Sequence, residues 1–369
     1  MRPHIVRGVA IRGIASAVPE SSITLEDCIA SAGDSVRATA EATGIFKRHI
    51  AGPGICASDL CFAAAERLLD QLHWERESID HIVFVTQYPD YLLPANSCLL
   101  HGRLGLSKSC ACLDINLGCS GYIYGLSVAS ALLSTASAGR CLLLVGDTPS
   151  KTASPQDKSV SMLFGDAGTA TALEISSSAP AMYFQFGTDG TGYQHLIVPV
   201  GGFRQRSTPL TQTRIERESG NWRSDEDLWM DGPEIFAFTL REVPPLMNAV
   251  LAASGWTRES VDAFVLHQAN RFMIRHLQKK LKIPADKVPI TLQDYGNTSS
   301  ASIPLAINSA LKEAVEAAPQ RLVMAGFGVG LSWGAAAVTC GPIVVPEIVL
   351  VPDPELRVSG STLHKELVR

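Results

Sequence analysis

The sequence has no run of about 18 consecutive apolar residues, so no membrane-spanning helix is expected. It has no basic block and no basic–aromatic stripe, and its formal net charge is -5. Nucleic acid is therefore not an expected partner. Its nine cysteines are an odd number and contain no Cys-x-x-Cys pair of zinc spacing. Cys110-x-Cys112 comes nearest, and it reads as the edge of a strand, so no metal is expected. The first residues are interrupted by Arg2, His4, Arg7 and Arg12 and lack the apolar stretch of a secretory signal. These absences together predict a cytoplasmic chain with free thiols. What is present is an ordinary globular balance over 369 residues, 46% hydrophobic and 18% charged. That length holds two core-bearing halves or one large domain.

The chain repeats itself. Trp74-Glu-Arg-Glu-Ser-Ile-Asp80-His-Ile-Val83 returns 182 residues later as Trp256-Thr-Arg-Glu-Ser-Val-Asp262-Ala-Phe-Val265. Cys141-Leu-Leu-Leu-Val-Gly146 is echoed by Arg321-Leu-Val-Met-Ala-Gly326 at an offset of 180, and Ala129-Ser-Ala-Leu132 by Asn308-Ser-Ala-Leu311 at 179. Three matches in one order imply two halves on a common plan. Each half alternates helix and strand. Residues 58–72 carry helical apolar spacing after a Ser/Asp cap, 79–85 a buried strand, 122–133 an apolar central helix and 142–145 a second strand. Strands at 261–266 and 322–325, and helices from about Arg271 and Thr298, follow in the second half. The alternation predicts α/β halves with mostly parallel sheets, stacked through shared helices into a five-layer arrangement.

One cysteine stands out. Cys119 follows an apolar strand-like run and Leu-Gly, and helical spacing begins directly after it. A helix N-terminus offers free N–H groups and a partial positive charge there, which favours the nucleophilic thiolate. Taken alone, such a cysteine is far more often a small buried structural residue. The repeat offset places its counterpart near Thr298, beside Asn297, and that of Val85 at His267. A pseudo-twofold relation between the halves brings Cys119, Asn297 and His267 to one place, outside the carboxyl ends of strands. Singly, His267 is a strand-end histidine and Asn297 a turn residue or helix cap. The glycine-rich run 326–330 lacks the following Lys-Ser/Thr of a nucleotide loop.

Asp114-Ile-Asn-Leu-Gly-Cys119-Ser-Gly, His267-Gln-Ala-Asn270, Tyr295-Gly-Asn297-Thr-Ser-Ser-Ala-Ser-Ile-Pro304 and Phe327-Gly-Val-Gly-Leu-Ser-Trp-Gly334 resemble the signature blocks of the ketoacyl-acyl-carrier-protein synthase III family. The resemblance spans about Val9 to Val338. It implies a thiolase-like five-layer αβαβα fold from two duplicated halves, 1–178 carrying the cysteine and 179–340 carrying His and Asn, with 341–369 as an extension. It implies that Cys119 takes an acyl group from a thioester. An extender such as malonyl-carrier-protein then loses carbon dioxide and attacks that group. His267 and Asn297 would hold the extender carbonyl as charge builds on it. The backbone N–H groups of Cys119 and Val329 would form a second oxyanion hole, with Val329 standing where the family usually has glycine. Phe327 would pack beside the cysteine, and Asn270, Lys158, Gly232 and Phe236 would contact substrate. Leu93, just before Pro94, falls where a partner subunit inserts a residue into the acyl tunnel, so a homodimer is implied. No cofactor is implied; coenzyme A or acyl-carrier-protein thioesters enter as substrates.

Two family features are missing. Where a Trp and an Arg normally grip the adenine of coenzyme A, this sequence has Ala38 and Ala42, losing stacking and charge. Lys158 stands where an Arg is common. These departures point away from plain acetyl-coenzyme A priming and toward another thioester or a carrier-borne acyl group, in general or specialised lipid or polyketide synthesis. Arg271, Arg275, Lys279 and Lys280 follow His267 on one helix and form an expected docking face for acyl carrier protein; spacing alone equally describes a solvated charged face. Residues 200–229 read as an exposed insertion. Two competing functions share these residues: acyl transfer to an alcohol or amine without decarboxylation, and a non-catalytic partner subunit. Retention of Cys119, His267 and Asn297 favours the condensing enzyme.

Overall fold

The computed structural model describes residues 3–135 and 139–354. Two sheets lie face to face with helices between and outside them. The first sheet has six strands in the order Val349–Val351, Val9–Pro19, Ala167–Ile175, Arg140–Asp147, His81–Val85, Ala111–Ile115. The second has five, ordered His4–Val6, Met182–Thr188, Ser332–Cys340, Gln320–Gly328, Ala263–Leu266. The repeat is visible in these orders. His81–Val85 pairs parallel with Arg140–Asp147, and Ala263–Leu266 pairs parallel with Gln320–Gly328. In both halves the next two pairings are antiparallel.

The sheets are thus mixed, which corrects the expectation of mostly parallel ones. The second sheet has a single parallel pair. A tight turn through Val329 joins Gln320–Gly328 and Ser332–Cys340 as a hairpin. Both strands are buried on both faces, so their apolar runs resemble those of parallel strands. The chain ends also cross between halves: His4–Val6 joins the second sheet, and Val349–Val351 of the carboxyl-terminal extension joins the first.

Five layers result. Ala57–Leu72 covers the outside of the first sheet in one apolar cluster with it. Gly121–Ser134 and Ser302–Ala310 fill the middle, where Tyr122, Ile123, Leu126, Ile303 and Ile307 meet inward residues of both sheets. Gly232–Ser254 and Arg271–Leu281 cover the outside of the second. Gly232–Ser254 is long and apolar enough to cross a membrane by length and composition, but half of that span is buried in this core.

The central helix can sit close to the first sheet because Gly121 and Gly125 face Val85. A Cβ at either would stand 2.6 or 2.7 Å from a Val85 methyl. That close approach fixes the start of the helix, and Cys119 lies two residues before it.

Candidate active site

Cys119 reaches the site from the strand Ala111–Ile115, at the amino end of Gly121–Ser134, and is 6% exposed. His267 follows directly on Ala263–Leu266, and its N–H donates to Ala325 O at 2.8 Å. Asn297 is pinned through its backbone, donating to Leu163 O at 2.9 Å and accepting from Gly165 N at 3.1 Å. Two strand-end loops and a helix start therefore converge as the repeat predicts. All three side chains line one narrow cavity of about 80 Å³.

Ser299 stands at the centre of the three. It lies 180 residues after Cys119, and its Oγ is 3.8 Å from Cys119 Sγ. Its N–H donates to Asn297 Oδ1 at 3.0 Å, which fixes the Asn297 amide with its oxygen toward Ser299. Its carbonyl side favours the protonated form of the His267 imidazole, against burial. One residue meets three partners because its backbone is left-handed, with φ 51°. His267 Nδ1 also lies 2.7 Å from Ser302 Oγ, and the Phe327 ring sits edge-on to the imidazole with centroids 5.6 Å apart.

Burial governs the charges. It pulls His267 down to about 3, so the imidazole is neutral across the physiological range and acts as an N–H donor. Burial pushes the Cys119 thiol up to about 11. The Ser299 hydroxyl and the backbone N–H groups of Val329 and of Cys119 itself oppose that rise. No cation is among these partners, so burial favours the thiol, against the pull of the helix start and of these donors. The same two backbone N–H groups face the sulfur, the place where the oxygen of an attacked carbonyl would carry negative charge.

Other expected residues divide. Gly232, Asn270 and Phe327 line the cavity; Asn270 also caps its helix, accepting from Met273 N at 2.7 Å. Phe236 does not line it, and instead packs on Phe272 and His276 at 5.2 and 5.4 Å. Lys158 is exposed, with its N–H on Asn221 Oδ1 at 3.0 Å, and lies outside the cavity. Leu93 is 80% exposed beside Tyr91 and Leu92, likewise outside it. Arg271, Arg275 and Lys279 line one groove with Glu41 and Ala42. Lys280 is not in it; its Nζ bonds Leu240 O at 2.8 Å, because it sits on the face turned to Gly232–Ser254. Ala38 and Ala42 are both exposed.

The 200–229 segment is exposed only in its first part. Arg223 is buried between Asp157 and Glu218, and Leu228 N donates to Thr152 O at 2.7 Å. Its later residues thus brace the loop that carries Leu163 and Phe164 into the cavity. These two, with Leu196, Met230, Ile235 and Met273, are among its apolar lining. Sequence reasoning missed them because nothing distinguishes them from core residues.

Comparison with known proteins agrees with this geometry. Residues 113–190 match the family described as 3-oxoacyl-[acyl-carrier-protein (ACP)] synthase III, and residues 251–340 match its C-terminal family. The chain is 35% identical to a beta-ketoacyl-[acyl-carrier-protein] synthase III of Rhodopirellula baltica, over 90% of this chain and 98% of that one. It is 32% identical to the Caldanaerobacter subterraneus protein of the same name, over 89% and 96%. A crystal structure of a 3-oxoacyl-(acyl-carrier protein) synthase from Burkholderia xenovorans LB400 superposes with a TM-score of 0.89 at 44% identity, covering 95% of this chain and 99% of that chain. A cysteine at a central helix start, a neutral histidine and an oriented asparagine in duplicated thiolase-like halves, with these relatives, place the chain in the beta-ketoacyl-acyl-carrier-protein synthase III family of condensing acyltransferases.

Proposed function

We propose that the chain joins an acyl thioester primer to malonyl-acyl-carrier-protein by decarboxylative Claisen condensation, through an acyl group on Cys119. The observation that carries this is the meeting of Cys119, His267 and Asn297 around one cavity. The Cys119 sulfur attacks the primer carbonyl, and the carrier thiol leaves. The extender thioester then sits with its carbonyl oxygen toward His267 and the Asn297 NH2. Loss of carbon dioxide puts negative charge on that oxygen, where two neutral donors in a dry site stabilise it. The resulting carbanion attacks the acyl carbon, and Cys119 is released.

The primer is a thioester other than acetyl-coenzyme A held in the usual way, since Ala38 and Ala42 offer neither a stacking ring nor a cation. Carrier protein docks on Arg271, Arg275 and Lys279, whose groove opens beside Asn270 and Met273 of the cavity. The exposed Tyr91, Leu92 and Leu93, near the open edge strand Ala111–Ile115, support a homodimer. All nine cysteines are free, which supports a reducing compartment. The test is incubation with a panel of coenzyme A and carrier-protein thioesters. The reading expects a 3-oxoacyl product and carbon dioxide with a carrier-borne extender. Acetyl-coenzyme A serving as well as every other primer would remove the donor argument.

A further inference from the structure

Two serines of the signature blocks have no part in the condensation described above. Ser120 follows the nucleophile, and Ser332 begins the strand Ser332–Cys340. They are 1% and 4% exposed, and their hydroxyl oxygens stand 2.6 Å apart across 212 residues of chain. Ser332 Oγ also donates to Val329 O at 2.9 Å. A hydroxyl carries one proton, so with Ser332 donating to Val329, Ser120 donates to Ser332. Ser120 does not use its hydroxyl for its own helix. It stands at the N-cap of Gly121–Ser134, where a serine oxygen ordinarily accepts from a first-turn N–H. Its backbone there is helical, with φ -86° and ψ -9°, and its side chain makes no cap hydrogen bond.

The turn that this pair holds borders the sulfur. A Cβ on Gly328 would stand 2.9 Å from Cys119 Sγ, and one on Gly118 would stand 2.7 Å from Val329 Cγ1. Gly328 and Gly330 flank Val329 with φ 157° and 136°, values that glycine takes freely, so the backbone is permissive on both sides of Val329. Beyond it, Leu331 is fixed by two backbone hydrogen bonds with Asp189, at 3.0 and 2.9 Å. The Val329 carbonyl is fixed by Ser332, and Ser332 is tied through Ser120 to the residue next to the nucleophile. Peptide units are planar, so anchoring that carbonyl limits rotation of the Val329 backbone and with it the direction of the Val329 N–H.

We propose that Ser120 and Ser332 are positioning residues for acylation: their hydroxyl pair holds the Val329 N–H in register with the Cys119 N–H, so that both donors meet the oxygen of the attacked thioester. Both serines act through Val329 rather than on substrate. The pair ties the nucleophile's helix start, from one half, to the turn that carries the second donor, from the other. The inference rests on the reading of Cys119 as the acylated nucleophile with those two N–H groups as its oxyanion hole.

Rapid-quench single-turnover acylation, read by mass spectrometry, tests it with two primers: the fastest thioester of the panel above and its dithioester analogue. The dithioester presents sulfur, a poor hydrogen-bond acceptor, where the thioester presents oxygen, so aligned donors favour the thioester. The proteins are the wild type, Ser332→Ala, Ser120→Ala and the double variant, with unfolding curves to check the fold. Ser332→Ala is expected to slow acylation by the thioester about tenfold, and Ser120→Ala, which leaves the bond to Val329 in place, about threefold. Both should slow the dithioester less, so the oxygen-to-sulfur rate ratio falls. The double variant should be no slower than Ser332→Ala, because the link to Val329 is already broken there. If Ser332→Ala does not fold, Ser120→Ala carries the test with the same two primers. Wild-type rates in either folded variant overturn the proposal. Equal slowing with both primers would make the serines merely structural and also overturns it, as do losses that multiply in the double variant. No acyl adduct on the wild type with any thioester of the panel overturns the nucleophile reading instead.

Discussion

Gly328 leaves no room beside Cys119: a Cβ there would stand 2.8 Å from Cys119 Cβ and 2.9 Å from Sγ. The space over the sulfur exists because this strand end carries no side chain. Gly328→Ala therefore pushes on the nucleophile directly. Acyl-Cys119 formation should fall by about 100-fold or more, since small misplacements of a reacting atom cost that much. Mass spectrometry of the acylated protein measures it, and unfolding curves check that the fold is retained.

His267 and Asn297 are assigned to the extender, so their loss should divide the two half-reactions. His267→Ala and Asn297→Ala should each lower decarboxylation by about 10² to 10³-fold, the effect of removing one oxyanion donor. Acyl loading of Cys119 should fall far less. Separate assays of acyl transfer and carbon dioxide release check this. Equal losses in both would contradict the assignment.

The histidine also leaves a mark on stability. Its folded value of about 3 lies below the ordinary 6.5, so the unfolded chain takes up a proton that the folded chain refuses. Its contribution is intact above 6.5 and is lost as pH falls from there toward 3. At about pH 5 the loss is about 2 kcal/mol. Asp166, pushed up to about 6 by burial, acts in the opposite sense, since its folded form prefers the proton. The difference between wild type and His267→Asn isolates the histidine. Denaturant unfolding at about pH 7.5 and pH 5 should show wild type losing more stability than the variant.

Much of this was legible in the sequence, and the exceptions have physical causes. The apolar helix Gly121–Ser134 and the paired strands of each half show in periodicity and in the repeat. The repeat offset alone pairs Cys119 with Asn297 and points to His267. Strand direction was not legible, because a doubly buried strand has the same composition in either sense. Ser299 was missed because a serine gives no sign of a left-handed backbone. Lys280, which the family resemblance places on the docking face, bonds Leu240 O instead, since a sequence match does not tell which side of the helix meets its neighbour.

The groove face makes its own prediction. Lys279 is exposed on it, between the chain and any acidic partner. Lys279→Glu should raise KM for malonyl-carrier-protein by about tenfold, with a smaller fall in kcat. The wild-type KM should also rise with salt, as expected for exposed charges. Steady-state kinetics at low and high ionic strength test both.

The central claim is that Cys119 carries the acyl group through a condensation. Intact-protein and peptide mass spectrometry, run with carbon dioxide detection, tests it most directly. Incubation with a thioester primer should add the acyl mass to the peptide containing Cys119. Malonyl-carrier-protein should then remove it with one carbon dioxide released per acyl group. An adduct that leaves as an ester or amide without carbon dioxide, or no adduct with any donor, would contradict the account.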